Sequence, residues 1–195
     1  MDSSNQWENL LNPEIFKDRL ISISMYITIY EMLKDSIINR IKDFYIMPLI
    51  DFRDKEGEEE YKLNVISKNK NHLYASILWL LEMDVINQKD YENIENLKNY
   101  RNYLAHEMSN IIFNGDISDL VENFLCAYEL INKIENWWIV NFEFDLNLDF
   151  KDISIDDIDV KNIQSGKKIM IDTALLVLNG NKELLEKFKS RKSEM

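Results

Sequence analysis

The chain is expected to fold as an all-α protein, and three features of its sequence say so. Gly and Pro are scarce, four and two in 195 residues, too few for the many turns of a β architecture. Long stretches repeat their apolar residues at three- and four-residue intervals, the period of a helix lying on a core. A composition of 46% hydrophobic and 30% charged residues is that of a globular chain, not a disordered one. The expected architecture is a single domain over residues 1–195. It comprises an up-and-down helical bundle at 13–141 and a C-terminal extension at 142–195 packed on it. The extension includes a small acidic β or extended segment near 142–160.

Asn12-Pro13-Glu14 reads as a helix start: a capping amide, proline at the first helical position and an acid in the first turn. The apolar face that follows runs through Phe16, Leu20, Ile23, Ile27, Tyr30, Ile37, Ile41 and Phe44, ending near Pro48. Within it, Ile21 to Ser24 and Ile27 to Ile29 alternate and are rich in β-branched residues, so a strand competes locally. Helix is chosen for length and flanks. Residues 51–60, charged and containing Gly57, read as an exposed loop with a solvated acidic tip.

Asn71 is expected to cap a second helix whose buried face is Tyr74, Ile77, Leu78 and Leu81, with His72 beside the cap on the surface. Residues 88–112 form a third, stopped by Asn114-Gly115. A fourth begins at 116–118 and carries Val121, Phe124, Tyr128, Ile131, Ile134 and Trp138 on one stripe. The Trp137-Trp138 pair fits packing better than base stacking. Residues 142–150 then alternate Phe142, Phe144, Leu146, Leu148 and Phe150 with acids and an amide, a half-buried strand pattern. Ser165-Gly166 leads to an apolar helix at 169–178 stopped by Asn179-Gly180, and 182–189 form a short closing helix.

A net charge of −12 opposes loose binding of nucleic acid over the whole surface, so any phosphate site must be local. The single cysteine, Cys126, excludes an intrachain disulfide and reads as a small buried hydrophobe. The first residues lack the basic start and apolar run of a signal peptide. The charge-free stretch at 20–30 is too short to span a bilayer, and the chain is expected in the cytoplasm. The acidic cluster at 156–159 lacks the glycine and terminal glutamate of a calcium loop. No P-loop, dinucleotide fingerprint, nucleophile elbow or Cys/His metal spacing is present, so neither metal nor cofactor is expected.

The residues that invite chemistry lie on the third helix. Ile94, Leu97, Leu104, Met108 and Ile111 mark its apolar seam, and Arg101 falls on that seam. A charge there must meet a carboxylate or line a wet groove, since an unpaired charge in a dry core costs several kcal/mol or more. Asn102 and His106, four apart, share a face, so the amide could fix the imidazole tautomer. Arg101 and His106 are about 140° apart around a regular helix, so one helix does not aim both at one point. A second copy across a two-fold axis, or a helix break near Ala105, would.

Arg101-Asn102 followed by His106 resembles the R-(polar)-x3-H signature of HEPN domains, all-α proteins that include metal-independent endoribonucleases of toxin–antitoxin, abortive-infection and CRISPR-linked systems. The resemblance covers roughly residues 13–141. It implies a homodimer acting on RNA in a toxin–antitoxin or phage-defence system, held in check by an antitoxin or other regulatory protein. A ribose 2′-hydroxyl would attack the adjacent phosphate, His106 would move protons, Arg101 would stabilise phosphoryl charge, and Asn102 would orient His106 or the substrate. Met108 stands where the subgroup paired with nucleotidyltransferase antitoxins has a modifiable tyrosine, so that form of control is not carried over, and nothing is transferred to Tyr100 or Tyr103. Two other readings use the same residues without catalysis: an interaction module with Arg101 in a structural ion pair, and a nucleotide-binding regulator.

Overall fold

A computed structural model describes residues 7, 10–46, 54–114, 117, 119–143 and 162–180. These residues are overwhelmingly helical, and no strand occurs among them. In chain order the helices are α1 (Pro13–Ile46), α2 (Asp54–Asn64), α3 (His72–Glu82), α4 (Gln88–Asn114), α5 (Leu120–Trp138) and α6 (Gly166–Leu178). A 3₁₀ turn, Ile66–Lys68, precedes α3, and a π-helical turn, Ile139–Glu143, extends α5.

Helix α1 is the centre of the molecule and packs against α2, α3, α4 and α5. It starts as the sequence predicts, with Asn12 Oδ1 accepting from the backbone N–H of Glu14 at 3.1 Å and of Ile15 at 3.3 Å. Its 34 residues resolve the competition with a strand in favour of helix. Buried side chains follow the helical period through Ile23, Tyr26, Ile29, Tyr30, Leu33, Ser36, Ile37 and Ile41. The stripe thus differs from the predicted one, because Leu20 and Phe44 are exposed and Tyr26, Ile29 and Leu33 carry the contact. Arg19 ties α1 to the far end of α4, donating from Nη1 to the carbonyl of Ile112 at 2.5 Å.

The loop expected at 51–60 is corrected: its described part belongs to α2. Gly57, Tyr61 and Val65 are buried at four-residue spacing, so this charged segment does have a core stripe, whose first member has no side chain. A Cβ at Gly57 would lie 2.2 Å from the carbonyl oxygen of Tyr45, so α2 sits backbone to backbone on the end of α1.

Asn71 caps α3 as predicted, its Oδ1 accepting from the N–H of Leu73 at 2.9 Å. The predicted face is rotated: Leu73, Ala75, Ser76, Ile77, Trp79 and Leu80 are buried, whereas Tyr74, Leu78 and Leu81 are half-buried. On α5, Val121 is exposed, and Ala127, Leu130, Ile131, Ile134, Glu135 and Trp138 form the buried face. Trp138 stacks on Trp79 with ring centroids 5.9 Å apart and planes at 6°, and Trp137 meets Trp79 edge-on at 6.2 Å. The tryptophan pair is therefore packing.

Beyond Trp138 the expected change to strand period does not begin where the sequence placed it. Residues 139–143 are a π-helical turn, and Phe142 lies against Phe44, Trp137 and Trp138 at 4.8 to 5.2 Å. The rest of the acidic segment, 144–161, and the closing helix expected at 182–189 lie outside the described residues. Ser165 caps α6 by accepting from the N–H of Lys168 at 3.1 Å, and Gly180 follows its C-terminus with a left-handed φ of 77°. Ile171 brings α6 into the same buried cluster as the other helices. Among the described residues no helix is long and apolar enough to cross a membrane.

Candidate functional site

Helix α4 buries Ile94, Leu97, Leu104, Ile111 and Ile112, so Arg101 does sit on the seam, with the half-buried Met108 two turns on. Across the seam lies α1. Its Glu31 receives a hydrogen bond from Arg101 Nη2 at 3.0 Å, with the two side chains 33% and 42% exposed. The other oxygen of Glu31 is 3.4 Å from Lys34 Nζ. The Arg101 stem lies in the packed interface, leaving its Nε buried without a partner among the described residues. Nearby, burial first and the Glu31 carboxylate second push the Tyr30 hydroxyl up to about 12, with the Arg101 cation opposing the rise.

Asn102 and His106 are both exposed. The amide oxygen of Asn102 faces Arg101 Nη1 at 3.5 Å, and among the described residues no hydrogen bond joins Asn102 to His106. The expected clamp on the imidazole is thus not formed within one chain. Arg101 leans onto α1 while His106 points to solvent, the divergence that helical geometry demands. His72, on the first turn of α3, is exposed.

A second cation gives a measure of what Arg101 is doing. Arg40, also on α1, donates from Nε at 3.1 Å and Nη2 at 2.7 Å to one oxygen of Glu135, and its Nη1 is 2.7 Å from Glu143. Glu135 lies on the buried face of α5 with its side chain 3% exposed, and it also accepts from Ser36 Oγ at 2.6 Å. Lys167 of α6 completes the group, 3.0 Å from Glu135, 2.7 Å from Asp35 and 2.7 Å from Ser36 Oγ. Burial alone would raise the Glu135 carboxyl, but the Ser36 hydrogen bond and the Arg40 and Lys167 cations override it and hold the group below its usual range. Asp35 is lowered too: burial opposes, and the Lys167 and Asn39 hydrogen bonds prevail. Arg40 is held still more firmly protonated, desolvation being outweighed by Glu135 and Glu143.

Comparisons with protein-family models, with curated proteins and with solved structures each find no match. The site therefore stands on its residues alone.

Chemically, the Glu135 cluster is a structural clasp joining α1, α5, α6 and the π turn. Ser36 and Lys167 touch, yet Ser36 is fully buried and Lys167 is shared by two carboxylates, so neither a reachable nucleophile nor a free base results. The sequence reading missed this cluster. The signal was present, since Glu135 adjoins the stripe of Ile131, Ile134 and Trp138 just as Arg101 adjoins its own, and Ser36 and Arg40 are four apart on α1. Around Arg101 the arrangement is more open: a cation at the rim of the core, an amide beside it and an exposed imidazole one turn on. No group of three or more ligating side chains able to hold a metal occurs among the described residues.

Proposed function

We propose that this chain is a metal-independent endoribonuclease of a toxin–antitoxin or phage-defence system, with a HEPN-like bundle in which two copies of α4 face each other. The contrast between its two seam arginines carries the reading. Arg40 spends Nε and both terminal nitrogens on two carboxylates. Arg101 makes one firm contact, to Glu31 at 3.0 Å, and a long one to Asn102 at 3.5 Å. Its Nε is buried, but two of the four N–H donors on its terminal nitrogens are uncommitted among the described residues, as suits a guanidinium that takes phosphoryl oxygens.

In this reading O2′ of a ribose bonds to the adjacent phosphorus as one His106 takes its proton. The P–O5′ bond breaks, O5′ receives a proton from the His106 of a second copy, and a 2′,3′-cyclic phosphate and a 5′-hydroxyl result. Arg101 stabilises the charge gathering on the non-bridging oxygens. Asn102, free of His106 within one chain, orients the imidazole or the substrate across the pair. The RNA enters at a local patch of an otherwise acidic surface, which implies a narrow substrate choice or a regulatory partner that supplies further contacts.

Incubation of the purified protein with total RNA in EDTA tests this. Wild type cuts; Arg101→Ala and His106→Ala do not. Absence of cutting by wild type, or equal cutting by the variants, overturns it. The Arg101–Glu31 pair favours a second reading, a non-catalytic interaction or nucleotide-binding module. That reading predicts intact RNA in every sample.

A further inference from the structure

A line of three tyrosines leads from the core to the surface beside His106. Tyr26 is fully buried on α1 and donates its hydroxyl to the carbonyl of Leu97 at 2.9 Å, which fixes its ring. Tyr100 meets that ring edge-on, centroids 5.0 Å apart and planes at 81°. Tyr103 lies over Tyr100, offset at 6.1 Å with the planes 30° apart, and is 49% exposed. An aromatic ring backed by a second ring, itself braced by a third in the core, and half exposed to water is a pre-ordered platform, so a flat ligand gains contact at little cost in ordering.

Its surroundings point to the ligand. Tyr103 and His106 are three apart, neighbours on one helix face. The exposed positions between 99 and 110 are Asn99, Asn102, Tyr103, Ala105, His106, Glu107, Ser109 and Asn110, of which Glu107 alone carries a formal charge. In a chain of net charge −12 this is a stretch where a phosphodiester meets little repulsion and several amides able to hydrogen-bond a base edge.

We infer that Tyr103 is the stacking platform for an unpaired nucleobase next to the phosphate that Arg101 and His106 act upon. The inference rests on the nuclease reading above and adds a subsite to it. A duplex keeps its bases stacked on one another and cannot offer one to the ring. Base stacking on an aromatic side chain changes affinity by roughly 5- to 150-fold per base. The effect falls on binding, since the ring touches no reacting atom.

The test separates binding from cutting. A 2′-O-methyl oligonucleotide, which has no attacking hydroxyl, is titrated into wild type, Tyr103→Phe and Tyr103→Leu, alone and annealed to its complement. A cleavable RNA of the same sequence is assayed alongside. Wild type and Tyr103→Phe are expected to bind the single strand alike, Tyr103→Leu about 5-fold or more weakly, and the duplex to bind poorly. On cleavable RNA, Tyr103→Leu raises KM and spares kcat. Equal binding by Tyr103→Leu, or duplex bound as well as the single strand, overturns the platform even if wild type cuts RNA. Intact RNA together with weakened binding by Tyr103→Leu overturns the nuclease reading and leaves the platform standing. No binding of either oligonucleotide overturns the platform, and intact cleavable RNA beside it overturns the nuclease reading as well.

Discussion

Exchanging each seam arginine for methionine removes the charge while keeping much of the apolar stem, and the two exchanges should separate sharply in stability. The two arginine side chains are almost equally exposed, 32% for Arg40 and 33% for Arg101, so their own burial does not distinguish them. Their partners do: Glu135 is 3% exposed and Glu31 is 42%. Arg40→Met strands a buried carboxylate, and breaking a buried pair costs about 3–5 kcal/mol. Ser36 and Lys167 still hold Glu135, so the lower end, about 3 kcal/mol, is expected. At roughly 2–4 °C per kcal/mol for a chain of this size, Tm falls by about 6–12 °C. Arg101→Met leaves Glu31 in water beside Lys34, and an exposed pair contributes about 0.2–1 kcal/mol, so Tm moves by about 4 °C at most. Differential scanning calorimetry at pH 7 and moderate salt reads both. Equal losses, or a larger one for Arg101→Met, would refute the assignment of Arg40 to the fold and Arg101 to the site.

Two further outcomes follow from the packing. Gly57→Ala should lower the urea midpoint by the equivalent of about 1–3 kcal/mol, because the new Cβ meets the Tyr45 carbonyl, which is backbone and cannot step aside. Gly166→Ala, with nothing within 4 Å of its Cβ, should leave the midpoint unchanged or raise it. The lowered carboxyl groups of Glu135 and Asp35 give stability that is complete above their unfolded pKa values, near 4, and lost as pH falls through the lower folded values. Thermal melts from pH 7 to 3 should therefore decline steeply below about pH 4. Glu135→Gln should melt lower at pH 7 and decline less; a parallel decline would remove Glu135 from the explanation.

Three helices could be read from the sequence by both period and cap: Asn12, Asn71 and Ser165 all accept the hydrogen bonds their positions imply. Stripes were harder to place to the residue. In α1 and α3 apolar side chains surround much of the helix, and only tertiary contact decides that Leu33 and Trp79 are buried while Leu20 is not. Helix α2 was hidden because the first member of its stripe, Gly57, is a close approach of backbone to backbone, which leaves no hydrophobic signal. The Glu135 cluster was hidden because its members lie 99 and 95 residues apart, at Ser36 and Arg40, and only the fold assembles them. Arg101 was legible from one fact, a charge at a seam position, which had to meet a carboxylate or line a wet groove, and Glu31 is the carboxylate it meets. Asn102 and His106 were legible as sharing a helix face, but their mutual hydrogen bond was not realised, since i and i+4 spacing permits a contact without requiring it.

The most direct measurement concerns the ends of cut RNA. A labelled single-stranded oligonucleotide is incubated with the protein in EDTA, beside the same oligonucleotide carrying one 2′-deoxyribose at the cleavage position. Attack by O2′ predicts fragments ending in 2′,3′-cyclic phosphate from the first and no cut at that position in the second, with both His106→Ala and Arg101→Ala inert. Cleavage of the deoxy-substituted strand, 3′-hydroxyl ends, or activity that persists in the His106→Ala protein would contradict the account.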